Sequence, residues 1–164
     1  MKRAVVPGTF DPITEGHLDI IRRASQIFDE IVVGVAESAA KSPLFSLDER
    51  VSLVHQSVEG MPNVRVEPFT GLLVDFVREM QAGIVVKGLR AITDFEYEFQ
   101  MTSVNYKLGN DIETLFIMSP PQFMYLSSSV VREIASMDGP VDDFVTPCVR
   151  EALQRKFGLE RASS

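Results

Sequence analysis

The chain holds a single cysteine, Cys148, and only two histidines, His17 and His55, in 164 residues. One cysteine excludes an internal disulfide and fits a reducing cytosol. Two histidines without a cysteine pair leave no zinc site at the usual ligand spacing. No apolar stretch reaches the ~20 residues that a membrane helix needs; the run Ile31 to Ala36 is typical. The start, Met1-Lys2-Arg3, passes directly into a strand-like run and lacks a signal-peptide h-region, so a cytoplasmic protein is expected. Basic residues are in deficit: 16 Lys and Arg against 23 Asp and Glu leave a formal net charge of −7. That balance argues against general nucleic-acid binding, which needs a basic face. It leaves room for a small phosphorylated ligand held by a local cationic cluster, for which Lys41, Lys87 and Arg90 are candidates. Internal repeats are missing too, and the only biased tract is the polar tail Arg161-Ala162-Ser163-Ser164.

What is present is alternation. Short β-branched runs stand at Ala4–Val6, Ile31–Val35, Val64–Val66, Ile84–Val86 and Thr114–Ile117, with helical patterns between them. Ile20, Ile21, Ala24, Ile27 and Phe28 share one face of a first helix. Ser46-Leu47-Asp48-Glu49 spells a capping box for a second helix reaching about Val58. Leu72 to Met80 mark a third, and Thr93-Asp94-Phe95-Glu96 is expected to cap a fourth that runs to Leu108. Two more are predicted near Val130–Met137 and Pro147–Phe157, the last with Thr146 as N-cap and Gly158 as its stop. Strands alternating with helices imply right-handed crossovers and a buried parallel sheet. The expectation is one Rossmann-like, doubly wound α/β domain with a five-stranded parallel sheet over residues 1–158, followed by a polar tail, 159–164.

In such folds ligands sit beyond the carboxyl ends of the strands. The chemically suggestive residues fall there: Thr9 to His17, Lys41, Leu72 and Leu73, Lys87 to Arg90, and Ser127-Ser128-Ser129. The first of these stretches, Pro7-Gly8-Thr9-Phe10-Asp11-Pro12-Ile13-Thr14-Glu15-Gly16-His17, reads as strand, loop and helix entrance. A helix N-terminus offers unpaired N–H groups and partial positive charge, which suit phosphate. His17 alone would read as a residue bonded to its own loop; the glycine-bearing loop around it favours function. Lys87 with Arg90 reads as an anion clamp, with a salt bridge from Arg90 to Asp94 or Glu96 as the alternative. Of the acidic residues Asp94, Glu96 and Glu98, the last lies beyond the capping box and is best placed to meet a ligand. The same helix carries two apolar stripes, Phe95/Phe99/Tyr106 and Tyr97/Met101/Val104/Leu108. One is expected to face the sheet, and the other needs a partner subunit, an apolar ligand arm or further core. The serine run offers redundant N-caps and a plausible second phosphate site. His55 and Cys148 have no partner motif and read as structural.

The box Thr14-Glu15-Gly16-His17, with a serine run before a helix, resembles the nucleotidyltransferase superfamily that carries an (H/T)-x-G-H motif. Pro7 to Pro12, Lys87-Gly88-Leu89-Arg90, Asp94-Phe95-Glu96-Tyr97-Glu98 and Ser127 to Ser129 resemble, more closely, the bacterial phosphopantetheine adenylyltransferase family. The likeness runs from about residue 3 to 157. It implies transfer of AMP from ATP to 4′-phosphopantetheine, giving dephospho-coenzyme A and pyrophosphate by in-line attack, with Mg²⁺ and a homohexameric assembly. It further implies His17 as the catalytic group. Thr9, Lys41, Leu73 and Lys87 would hold the acceptor. Thr9, Phe10, His17, Gly88, Leu89, Arg90, Glu98 and the stretch Phe123, Met124, Tyr125, Leu126, Ser127, Ser128, Ser129 would contact ATP. The chain departs from the resemblance at position 87, where many members carry arginine: charge is kept and bidentate geometry is lost. The rival readings are a superfamily member with another acceptor, such as a cytidylyltransferase, and a non-catalytic nucleotide-binding module.

Overall fold

The computed structural model describes residues 1–37 and 42–159. Five strands, β1 (Arg3–Gly8), β2 (Glu30–Ala36), β3 (Val64–Phe69), β4 (Ile84–Leu89) and β5 (Glu113–Met118), form one parallel sheet in the order β3-β2-β1-β4-β5. Six helices connect and follow them: α1 (Glu15–Ile27), α2 (Leu47–Ser57), α3 (Leu73–Glu79), α4 (Ile92–Leu108), α5 (Ser128–Ser136) and α6 (Pro147–Lys156). The order reverses between β1 and β4, which places a crevice between the loops that leave these two strands.

Period-two alternation divides the strand side chains between two faces. Ala4, Val6, Ile31, Val33, Val35 and Val86 belong to one buried cluster with Ile21 and Ala24 of α1, Val54 of α2, Val131 of α5 and Val149 of α6. Val5, Val32 and Val85 turn to the other face and meet Val74, Phe76 and Val77 of α3. Gly34 of β2 is a packing requirement. A Cβ there would stand 2.6 Å from the Phe76 ring, which stacks on Phe69 with centroids 4.4 Å apart.

Two expectations for α4 fail. The helix begins at Ile92 with Ala91 as N-cap and no side-chain cap bond, so Thr93 lies inside it and does not cap it. Neither apolar stripe is buried within the chain: Phe95, Tyr97, Phe99, Met101, Val104, Tyr106 and Leu108 are all exposed. The helix runs along the edge of the smaller cluster, beside α3, without being pressed onto the sheet. Apolar periodicity reports that a face needs cover, not that its own chain supplies it. The strands also run further than their apolar cores suggested, so Lys87, Gly88 and Leu89 are the last residues of β4 and not a loop after it.

Candidate active site

A cleft of about 530 Å³ opens at the crevice, well within the range of small-molecule sites. Thr9, Phe10, His17, Leu73, Lys87, Gly88, Arg90, Glu98, Leu126, Ser127, Ser128 and Ser129 all line it. Residues from four separate stretches of sequence therefore converge on one surface.

His17 occupies the third helical position of α1, where a capping box ordinarily uses Glu or Gln. The Thr14 hydroxyl accepts from the His17 backbone N–H at 3.4 Å, and the Thr14 N–H donates to Nδ1 of His17 at 3.0 Å. A nitrogen that accepts a hydrogen bond carries no proton, so the neutral ring keeps its proton on Nε2. Burial, and secondarily the Arg90 charge, lowers the His17 pKa from 6.5 to about 4. The imidazole is thus a neutral Nε2–H donor at physiological pH, fixed by its own helix cap. Of the two readings open in the sequence, the bonds of this histidine to its own loop are present, and the one to the ring engages Nδ1.

Phe10 takes a left-handed backbone conformation, φ 51°, which a bulky residue adopts only under constraint. Its ring folds back over Gly8, where a Cβ would lie 2.9 Å from it, and meets the His17 ring edge-on at 5.1 Å. At 3% exposure Phe10 offers a ligand little beyond its backbone.

The two cations at the end of β4 are both paired. Lys87 Nζ donates to Glu98 Oε2 at 2.6 Å. The Arg90 fork takes Asp94 through Nε and Nη2 at 3.0 and 3.3 Å, and its Nη1 donates to the Leu126 carbonyl at 2.7 Å. Of the two partners open to Arg90 in the sequence, the structure selects Asp94.

The three serines have three different partners. Ser127 caps α5 by accepting from the Val130 N–H at 3.2 Å. Ser128 donates to the Pro12 carbonyl at 2.7 Å, tying the start of α5 to the first loop. Ser129 accepts from Arg132 at 3.4 Å, and Arg132 also donates to the Asp11 carbonyl at 2.5 Å. The N-termini of α1 and α5 are thereby locked side by side.

Other expected residues sit apart from the cleft. Leu89 is buried, with its carbonyl bound to the Ser119 N–H. Phe123 packs against the core at the end of a short 3₁₀ turn, Pro121–Phe123, and Tyr125 is almost fully exposed. Met124 follows that turn as its C-terminal cap and is only partly exposed. Lys41 lies outside the described residues.

Two residues escape a sequence reading. Arg50 is 1% exposed, and its guanidinium donates to the carbonyls of Thr9 (2.8 Å), Ala36 (2.7 Å) and Phe45 (3.1 Å). Asp11, 7% exposed, accepts from the N–H groups of Leu44 and Phe45, both at 2.9 Å. Together they hold the loop after β1, the end of β2 and the entrance of α2 in one arrangement. The available signal was an arginine close behind a helix N-cap, where a cation opposes the macrodipole and needs another reason to be there.

The sequence profile described as cytidylyltransferase-like matches residues 5–134. The fold is shared with a protein from Vibrio parahaemolyticus described as a nicotinate-nucleotide adenylyltransferase: TM-score 0.73 over 98% of both chains, at 17% identity. The profile places the chain in a nucleotidyltransferase class, and the structural likeness shows the shared fold. Closer relatives refine the class. The phosphopantetheine adenylyltransferase of Hahella chejuensis is 53% identical over 161 residues, covering 98% of this chain and all of the relative. That of Moorella thermoacetica is 54% identical over 159 residues, covering 97% of this chain and 99% of the relative. The chain belongs to the phosphopantetheine adenylyltransferase family.

Proposed function

We propose that the chain transfers AMP from ATP to 4′-phosphopantetheine, forming dephospho-coenzyme A and releasing pyrophosphate. The observation that carries this reading is that His17, its ring held through Nδ1 by its own helix cap, lines one cleft with Lys87, Arg90 and the serines at the start of α5. Such a transfer asks the protein for positioning and for electrostatic stabilisation of the transferring phosphorus, with no covalent intermediate. An acceptor phosphate oxygen attacks the α-phosphorus in line, and the bond to the pyrophosphate oxygen breaks. His17 donates to a non-bridging α-phosphate oxygen as charge shifts during that step. Its neutrality matters, because it stays a donor without surrendering a second proton. Lys87, with Thr9 and Lys41, holds the acceptor phosphate, and Leu73 meets the pantetheine arm. Arg90, Gly88 and the Ser127 to Ser129 turn take the nucleotide phosphates.

Mg²⁺ accompanies ATP in this reading and neutralises phosphate charge. Among the described residues no group of three His, Cys, Asp or Glu stands ready to hold a metal. The described residues therefore offer no cage of their own, and the ion would be carried by the nucleotide, as Mg²⁺ commonly is. The exposed apolar stripes of α4 fit burial between subunits of a homohexamer. The lone cysteine and the lack, among the described residues, of a helix fit to cross a membrane accord with a cytoplasmic site of action.

The reading is tested by pyrophosphate release with ATP or CTP, each with and without 4′-phosphopantetheine. Release that needs both ATP and this acceptor is the expected result. Release with CTP, or only with another acceptor, overturns it.

A further inference from the structure

Both described cations of the cleft are occupied by carboxylates of one helix. Lys87 and Arg90 lie at the end of β4, three residues apart; Asp94 and Glu98 lie on α4, one helical turn apart on a shared face. The Lys87–Glu98 pair is the tighter, at 2.6 Å with side chains 17% and 22% exposed. Any phosphate that uses these cations meets a tethered anion already seated there. We propose that Asp94 and Glu98 are internal counter-anions which substrate phosphates displace, and that they determine which anions open the site. The inference rests on the reading of the cleft as a phosphate-transfer site.

The physical argument is competition. A carboxylate on the same fold competes at an effective concentration that free monoanions at millimolar levels do not match. A phosphate dianion carries twice the charge toward Lys87 at equal distance, and several oxygens for the Arg90 fork. The exchange therefore favours phosphate esters and pyrophosphate over carboxylates and chloride. It also keeps both cations paired in the free protein. After exchange, Glu98 and Asp94 are released at the cleft rim with their charges intact, and no bond is made or broken.

The experiment is calorimetric titration of the full chain with pyrophosphate and, separately, with 4′-phosphopantetheine. The proteins compared are the wild type, Glu98→Gln, Lys87→Met and the double variant, each checked for an unchanged melting profile. Exchange predicts that Glu98→Gln tightens 4′-phosphopantetheine, whose phosphate is assigned to Lys87, at least fivefold. It predicts further that this gain disappears in the Lys87→Met background, because a carboxylate without its lysine competes with nothing. A gain of equal size in that background would make Glu98 a general repulsive charge and overturn the proposal. Unchanged or weaker binding of 4′-phosphopantetheine by Glu98→Gln would overturn it as well. The Asp94→Asn and Arg90→Met pair should repeat the pattern with pyrophosphate, the ligand assigned to Arg90, and its failure to do so would also overturn the proposal. If the wild type makes no dephospho-coenzyme A, the adenylyl-transfer reading fails, and the pyrophosphate series still decides the exchange.

Discussion

Thr14 and His17 cap the same helix by exchanging hydrogen bonds: the threonine N–H reaches Nδ1, and the histidine N–H reaches the threonine hydroxyl. This reciprocity fixes the ring, its tautomer and the direction of its remaining proton. Replacing His17 by Ala removes the donor that the proposed function assigns to a non-bridging α-phosphate oxygen. Loss of one such donor costs on the order of 10²–10³ in rate, so turnover should fall by at least that factor while the circular dichroism spectrum stays unchanged. A variant with near-normal turnover would take His17 out of the mechanism.

Thr14→Ala separates orientation from chemistry. The cap hydroxyl is lost, which costs roughly 1 kcal/mol of stability, and the ring keeps only the Thr14 N–H. Turnover should drop by roughly tenfold, less than for His17→Ala, with the Michaelis constant for ATP little changed. Steady-state kinetics beside urea denaturation read both quantities.

The lowered pKa of His17 has a pH signature. Its folded value, about 4, lies below the ordinary 6.5, so between these values the unfolded chain binds the extra proton. Stability therefore rises with pH across that window. The His17 contribution is complete above about pH 6.5 and is lost as pH falls toward 4, by up to about 3 kcal/mol. Urea melts across pH 4 to 7 should show this rise in the wild type, and His17→Gln should lack it. An NMR titration of His17 with an ordinary midpoint near 6.5 would refute its neutrality.

Arg50→Met should be among the most damaging single changes outside the cleft. It strands the carbonyls of Thr9, Ala36 and Phe45, and unsatisfied buried acceptors cost about 1–3 kcal/mol each. Destabilisation on the order of 3 kcal/mol is expected, and Arg50→Lys should recover only part of it, because one ammonium cannot reproduce the planar fork. Denaturant midpoints for the two variants decide the matter.

Gly34→Ala and Gly60→Ala make a matched pair. The first places a methyl 2.6 Å from the Phe76 ring, whereas the second meets nothing within 4 Å. Overpacking of this kind costs about 1–3 kcal/mol, so Gly34→Ala should lower the melting temperature while Gly60→Ala leaves it within error or raises it slightly.

The sheet was legible because burial on both faces forces short, continuous β-branched runs, and the connections between them admit few topologies. The first loop and the serine run were legible as places, since strand ends and helix starts have local signatures. The partners of individual groups were not. Ser128 bonds to Pro12 and Arg50 to Thr9 across long stretches of sequence, and no periodicity encodes such pairs. The α4 stripes misled for a related reason: Phe99 and Tyr106 repeat with helical spacing, yet among the described residues no layer covers them. His17 shows the opposite case, in which a local rule, the capping box, was present but spelled with an unexpected residue.

In the proposed function this cleft joins AMP to 4′-phosphopantetheine with His17 stabilising the transfer. Its most direct test incubates the wild type and His17→Ala with ATP, Mg²⁺ and 4′-phosphopantetheine, and identifies the product by mass. Dephospho-coenzyme A and stoichiometric pyrophosphate are expected from the wild type, formed at least about a hundredfold more slowly by the variant. A folded wild type that binds ATP and yields no dephospho-coenzyme A, or a variant that yields it at the same rate, would contradict it.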